Sequence, residues 1–203
     1  MDYYQIAMDI FRQRLKTDDE SLLQDLTERT DLKQVPKGTV LFREGCVLRD
    51  CYSLVDGIVR ISYLMDGEEI TESLVSMRGT VLYPSIALTG VDDLANGTVT
   101  ALTDCTLLHM SVRDLFEIRR AHPEFVNIQL QLVLGFVDRS FKLKRQLTHM
   151  SPTERYLWFA ENRPYLLENV PQKYIASFLG MTPVSLSRIR GKLKERETPE
   201  PNE

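Results

Sequence analysis

Apolar residues recur at helical spacing over residues 3–15 and again over 22–30, with Thr17, Asp18 and Asp19 supplying a break and a cap between them. From about Leu32 the period changes. Residues 35–45 read as a turn, a short strand and a second turn. Further short strands are predicted at 51–55, 58–64, 70–75, 80–82, 98–102 and 107–110. Asp56-Gly57, Asp66-Gly67, Gly79, Gly90 and Asn96-Gly97 are turn signals that separate most of them. Many short strands in close succession predict a small sandwich or jelly roll rather than alternating α/β units. Helical spacing resumes at Ser111, whose run to Asp114 is capping-box-like, and breaks at His122-Pro123. From Pro123 to about Leu147 only Gly135 interrupts the pattern, so a single helix of about 37 Å is expected. Phe125, Ile128, Leu132, Val133, Phe136, Val137 and Ser140 trace its more apolar side, as in helices that run beside a domain or pair with a copy of themselves. Ser151-Pro152-Thr153-Glu154 caps a further helix to Asn162, and Pro164 and Pro171 frame the connection to the last unit.

That last unit, residues 171–194 (PQKYIASFLGMTPVSLSRIRGKLK), reads as two short helices broken at Gly180. Ile175, Ala176, Phe178 and Leu179 are the apolar positions of the first, Leu186, Ile189 and Leu193 those of the second. Gly180 suits the left-handed end of a helix, Thr182 can cap the next one, and Pro183 fits its first position. A plain helical hairpin shares this spacing. The decoration favours a helix-turn-helix: Val184, Ser185, Ser187, Arg188 and Lys192 form a hydroxyl-rich, basic outward face with no acid before Glu195. Arg190 lies nearer the buried side of the wheel.

The 203 residues allow one ordinary domain and a small one, and 43% hydrophobic with 27% charged content is that of a globular protein. No apolar run is long enough to span a bilayer and no signal-peptide layout opens the chain, so a cytoplasmic location without a membrane partner is expected. The net charge of −4 hides a division. Residues 1–138 carry 13 basic and 22 acidic side chains, residues 139–196 carry 12 and 4, and residues 197–203 add three acids. An acidic body with a basic end is an electrostatic footprint for nucleic acid, placed where the helix-turn-helix is expected.

The β-roll, long helix and terminal helix-turn-helix, in that order, resemble the Crp/Fnr superfamily of bacterial transcription regulators. The residues that carry the resemblance are Gly38 with Phe42-Arg43-Glu44-Gly45, the hairpin Tyr52-Ser53-Leu54-Val55-Asp56-Gly57-Ile58-Val59-Arg60, Gly79, and the ending VPQKYIASFLGMTPVSLSRIRGKL. That ending is close to a sub-group whose chains stop soon after the recognition helix, without a wing. The resemblance implies an α+β chain: a cyclic-nucleotide-binding-like sensor domain with N-terminal helices over 1–122, a connecting and dimerisation helix over 123–149, a DNA-binding domain over 150–196 and a disordered tail over 197–203. It further implies a homodimer on two-fold symmetric double-stranded DNA, with RNA polymerase a further partner, and no enzymatic activity. Arg188 falls where the family places a base-reading arginine. Val184 and Ser185 lie on the first turn of that helix, with Ser187 beside them, and Gln172, Lys173, Thr182 and Lys192 are expected on phosphates.

The family's cyclic-AMP determinants are replaced. Tyr83-Pro84 stands where a Gly-Glu pair holds the ribose, and Ala95-Asn96 where an Arg-Ser pair holds the phosphate. Arg78 is the only Lys or Arg between Thr71 and Val112, and a buried phosphate without a cation is costly. A different small ligand beside Tyr83, Ser85, Asn96 and Ser140, or none, is therefore expected. Three cysteines do not make an iron–sulfur set, and His109, His122 and His149 share no metal-ligand spacing, so no cofactor is expected. Cys46 and Cys51 could form a redox pair, although packing is the commoner role. The alternative to a DNA-binding regulator is a small-molecule or redox sensor module with weak or lost DNA binding. A cupin-like metalloenzyme is disfavoured, because the strand region holds a single histidine.

Overall fold

The computed structural model describes residues 3–82 and 93–197. Two antiparallel four-stranded sheets form a sandwich. One has the order β1 (Asp31–Val35), β8 (Cys105–Ser111), β3 (Asp50–Asp56), β6 (Val81–Leu82). The other has β2 (Val40–Phe42), β7 (Thr98–Ala101), β4 (Val59–Met65), β5 (Glu68–Val75). Leu48, Leu54, Val59, Leu82, Val99 and Leu107 pack between them as the inner core.

Alternation along the strands sends other residues to the outer faces, and both faces are covered. In β8, Leu107 enters the inner core while Leu108 meets Ala7 and Ile10 of α1 (Tyr3–Leu15). Met110 packs with Leu22 and Leu26 of α2 (Glu20–Glu28), Ile118 of α3 (Val112–Ala121) and Phe125 at the start of α4 (Glu124–His149). On the opposite side, Ile58, Leu74 and Leu102 pack against a C-terminal helical unit: α5 (Pro152–Asn162), α6 (Pro164–Asn169), α7 (Gln172–Phe178) and α8 (Pro183–Glu197).

The expected caps form. Asp19 accepts from the amides of Ser21 and Leu22, Ser111 caps α3, and Ser151 with Glu154 makes a full capping box. Two elements differ from expectation. Asp31–Val35 is a strand, although its short sequence DLKQV carries little apolar signal; five-residue pairing with β8 supplies the stabilisation. The connection between Pro164 and Pro171 contains α6, started by Pro164 and anchored by buried Leu166. Gly90 and residues 198–203, most of the expected tail, lie outside the described residues. Among the described residues no helix is long and apolar enough to cross a membrane.

Candidate nucleic-acid interface and sensor cavity

Helices α7 and α8 are joined by a tight turn whose geometry follows from its residues. Gly180 has φ +64°, the left-handed region, and its amide donates to Ser177 O while Met181 N donates to Ala176 O. That hydrogen-bond pair is a Schellman motif, which satisfies the last carbonyls of α7. Ser185 N then donates to Thr182 Oγ1 (3.1 Å), the cap of α8. Arg155, on α5, clamps the turn by donating to Leu179 O (2.9 Å) and Met150 O (3.1 Å). Its role was not legible in the sequence, because a partner 24 residues away leaves no local pattern.

The turn sets which face of α8 looks outward. Leu186 is 1% exposed and Val184 60%. Ile189 and Leu193 are half-buried; Ser187, Arg188 and Lys192 are exposed, as are Gln172, Lys173 and Thr182. Ser185 is half-buried, its hydroxyl 2.9 Å from that of Thr182. Lys173 Nζ lies 4.8 Å from the Tyr174 ring. Arg190, expected near the buried side, is exposed, because the short apolar strip of α8 leaves most of its circumference to solvent.

Of the residues expected around a ligand, the structure describes two. Tyr83 and Ser85 lie outside the described residues, and Asn96 and Ser140 are both exposed. Cys46 and Cys51 are free and take the packing role, in different clusters, Cys46 against the inner core and Cys51 against the outer one. Desolvation, chiefly, pushes the Cys51 thiol up to about 12, so it is a poor nucleophile. His109 Nε2 lies 2.6 Å from Asp50 Oδ1, an ordinary structural pair. His122 is the exception to the sequence reading of the histidines: its ring shares a cluster with Asp19 and Glu124, ligand atoms within 4.8 Å of one another.

A cavity missed by the sequence reading opens between α1, α2, α3, α4 and the outer face of the first sheet, lined by residues that include Ile10, Phe11, Cys51, Met110 and Leu132. An open hollow between α1 and α4, with Arg14, Lys16 and Arg139 in its lining, adjoins it. Each lining face looks like ordinary amphipathic helix in the sequence, and only the packing brings them together.

The second sheet carries the contact between the sandwich and the C-terminal unit. Arg60, its side chain 4% exposed, donates from Nε to Thr71 Oγ1 (2.9 Å), from Nη1 to Glu69 Oε2, and from Nη2 to Glu69 O (3.2 Å). Its guanidinium carbon sits 4.2 Å from the centre of the Tyr174 ring on α7. The hydrogen bond from Arg60 is the main cause holding the Glu69 carboxyl below its ordinary range. Arg163 reaches back from the C-terminal unit to Leu74 O (3.3 Å).

Comparison with known proteins agrees with this architecture. The family profile described as "Cyclic nucleotide-binding domain" matches residues 32–122. The c-di-GMP-responsive global regulator CLP of Xanthomonas campestris has a similar structure at TM-score 0.67 and 17% identity, covering 91% of this chain and 96% of that one. The Thermus thermophilus catabolite activator protein aligns at TM-score 0.53 and 18% identity, covering 94% and 91%. The regulatory domain of Toxoplasma gondii PKA, solved with cAMP, aligns at TM-score 0.51 and 26% identity over 57% of this chain; the alignment spans only 44% of that chain. Among curated proteins nothing matches.

Proposed function

We propose that this chain is a sequence-specific DNA-binding transcription regulator of the Crp/Fnr type, a binding protein rather than a catalyst, acting as a homodimer. The observation that carries the reading is the α7–α8 turn. A Schellman-terminated helix, a Thr182-capped second helix and a buried Leu186 leave Val184, Ser187, Arg188 and Lys192 presented together on the outward face. A helix held this way has the form of a helix-turn-helix recognition helix. Arg188 reads a guanine through paired donors to O6 and N7, Val184 meets a thymine methyl, and Lys192, Gln172 and Lys173 neutralise phosphates. Helix α4 supports the dimer: Val126, Leu130, Leu134 and Phe141 are exposed along it at near-heptad spacing.

Selection of bound sites from random oligonucleotides is expected to return a two-fold symmetric consensus. In a gel-shift series Arg188→Ala should lose roughly 1–3 kcal/mol on that consensus and relax specificity at one base pair of each half-site. Equal weakening on every sequence would reduce Arg188 to a phosphate contact. A selection without any consensus would sink the reading.

Within this reading the sensor domain does not take cyclic AMP. Among the described residues from Thr71 to Val112, Arg78 is the only Lys or Arg, and it is exposed. Calorimetry with cyclic AMP should give no saturable heat.

A further inference from the structure

Two hollows meet at Arg14. One is a narrow chamber of about 100 Å³, walled by Phe11, Leu26, Leu108, Met110 and Phe125 among others. The other is an open hollow of about 440 Å³ between the end of α1 and the middle of α4, where Arg14, Lys16 and Arg139 line the walls with Gln13 and Gln131 and, among the described residues, no acid joins them. Arg14, Leu15 and Leu132 belong to both linings.

Arg14 sits there at a cost. Its Nε is buried and has no hydrogen-bond partner among the described residues. Burial, and then the like charge of Arg139, hold its guanidinium below the ordinary arginine range. Four other arginines of the domain are paired: Arg12 with Glu20, Arg29 with Asp25, Arg60 with Glu69, Arg120 with Glu117. A partly desolvated cation beside a second cation is relieved by an anion. The chamber next to it offers aliphatic and aromatic carbon, the surroundings in which an apolar chain displaces no well-bound water.

We propose that this joined hollow is a binding site for a slim amphipathic anion. A compact carboxylate or phosphate head lies between Arg14 and Arg139, and an unbranched alkyl chain fills the chamber under α1. The chamber is too small for a nucleoside and gives its ring atoms few polar partners. Because the site is walled by α1 and α4, occupancy fixes the N-terminal helix against the long helix. Any effect on DNA rests on the regulator reading above, but the binding does not.

Calorimetry on the full chain without DNA tests the two separately. The probes are hexanoate, hexyl phosphate, inorganic phosphate and hexyltrimethylammonium, chains short enough for a chamber of about 100 Å³ and each below its micellar concentration. One or both hexyl-chain anions should bind saturably, with the preferred head distinguishing a fatty acid from an alkyl phosphate. Arg14→Gln and the solvent-side Arg139→Gln should each weaken that binding about tenfold, the loss of one charge-assisted hydrogen bond. Leu132→Trp, which fills the junction, should abolish it while leaving the circular dichroism unchanged. Arg139→Gln keeps the test decisive if the two half-buried changes disturb folding. Absence of saturable binding by both anions, equal binding of the hexyl cation, or unchanged affinity in Arg139→Gln overturns the proposal. Inorganic phosphate binding as tightly as hexyl phosphate overturns it too, leaving an adventitious ion only.

Discussion

Gly57 shows how a single residue can be dictated by the backbone around it. Its φ is +106°, and a Cβ built there would lie 2.7 Å from Asp104 O and 2.6 Å from Cys105 Sγ. The first neighbour is main chain and cannot swing away. Gly57→Ala should therefore lower stability by about 1–3 kcal/mol, measured as a shift in urea midpoint at unchanged slope. Glu69 is a second case, with a pH dependence. Its folded carboxyl is held below the ordinary 4.5, first by the hydrogen bond from Arg60. A depressed carboxyl contributes stability that is present above the unfolded value and lost as pH falls through the folded one. The thermal stability of the wild type should thus fall on acidification below pH 4.5 more steeply than that of Glu69→Gln, with parallel curves near neutrality. A variant curve equally steep below that pH would assign the acid sensitivity elsewhere.

Among the elements, α8 is the one whose two faces answer to different demands. Leu186→Ala removes a side chain packed with Phe159, Ile175 and Leu179 and should cost about 2–5 kcal/mol in chemical denaturation. Val184→Ala, two residues earlier and outward, should stay within about 0.5 kcal/mol while lowering affinity for the selected DNA site. Strong periodicity and good caps made the helices legible in advance: α1 runs over the expected residues, and α5 begins with the expected capping box. The strands were legible where glycine turns bracket apolar runs, as around Asp56-Gly57 and Asp66-Gly67. The strand Asp31–Val35 was not, because its pairing with β8 is set by residues some 75 positions away. The same limit hid the charged hollow. Arg14 and Arg139 lie on helices whose individual patterns are unremarkable, and only α1 packing beside α4 makes two cations share a space.

For the molecule as a whole, the important consequence of the packing is that the C-terminal helices cover the outer face of the second sheet, as the N-terminal helices cover the first. Charge division along the sequence, acidic body and basic end, was readable beforehand; the seam between the two was not. Its most specific bond is Thr71 N donating to Ser177 Oγ (2.8 Å), beside the place where the β4–β5 pairing shifts register. Arg60 and Tyr174 stack next to it. Ser177→Ala leaves a buried amide facing a methyl group, an unpaired donor that costs about 1–3 kcal/mol. If this bond ties the C-terminal helices to the sandwich, amide exchange should quicken at Thr71 and along α7, while β1, β3 and β8 on the far sheet keep their protection. Exchange rates in α7 that do not change, with the loss confined to Thr71, would mean that Phe159, Leu166 and Ile175 hold the unit in place without help from the polar seam.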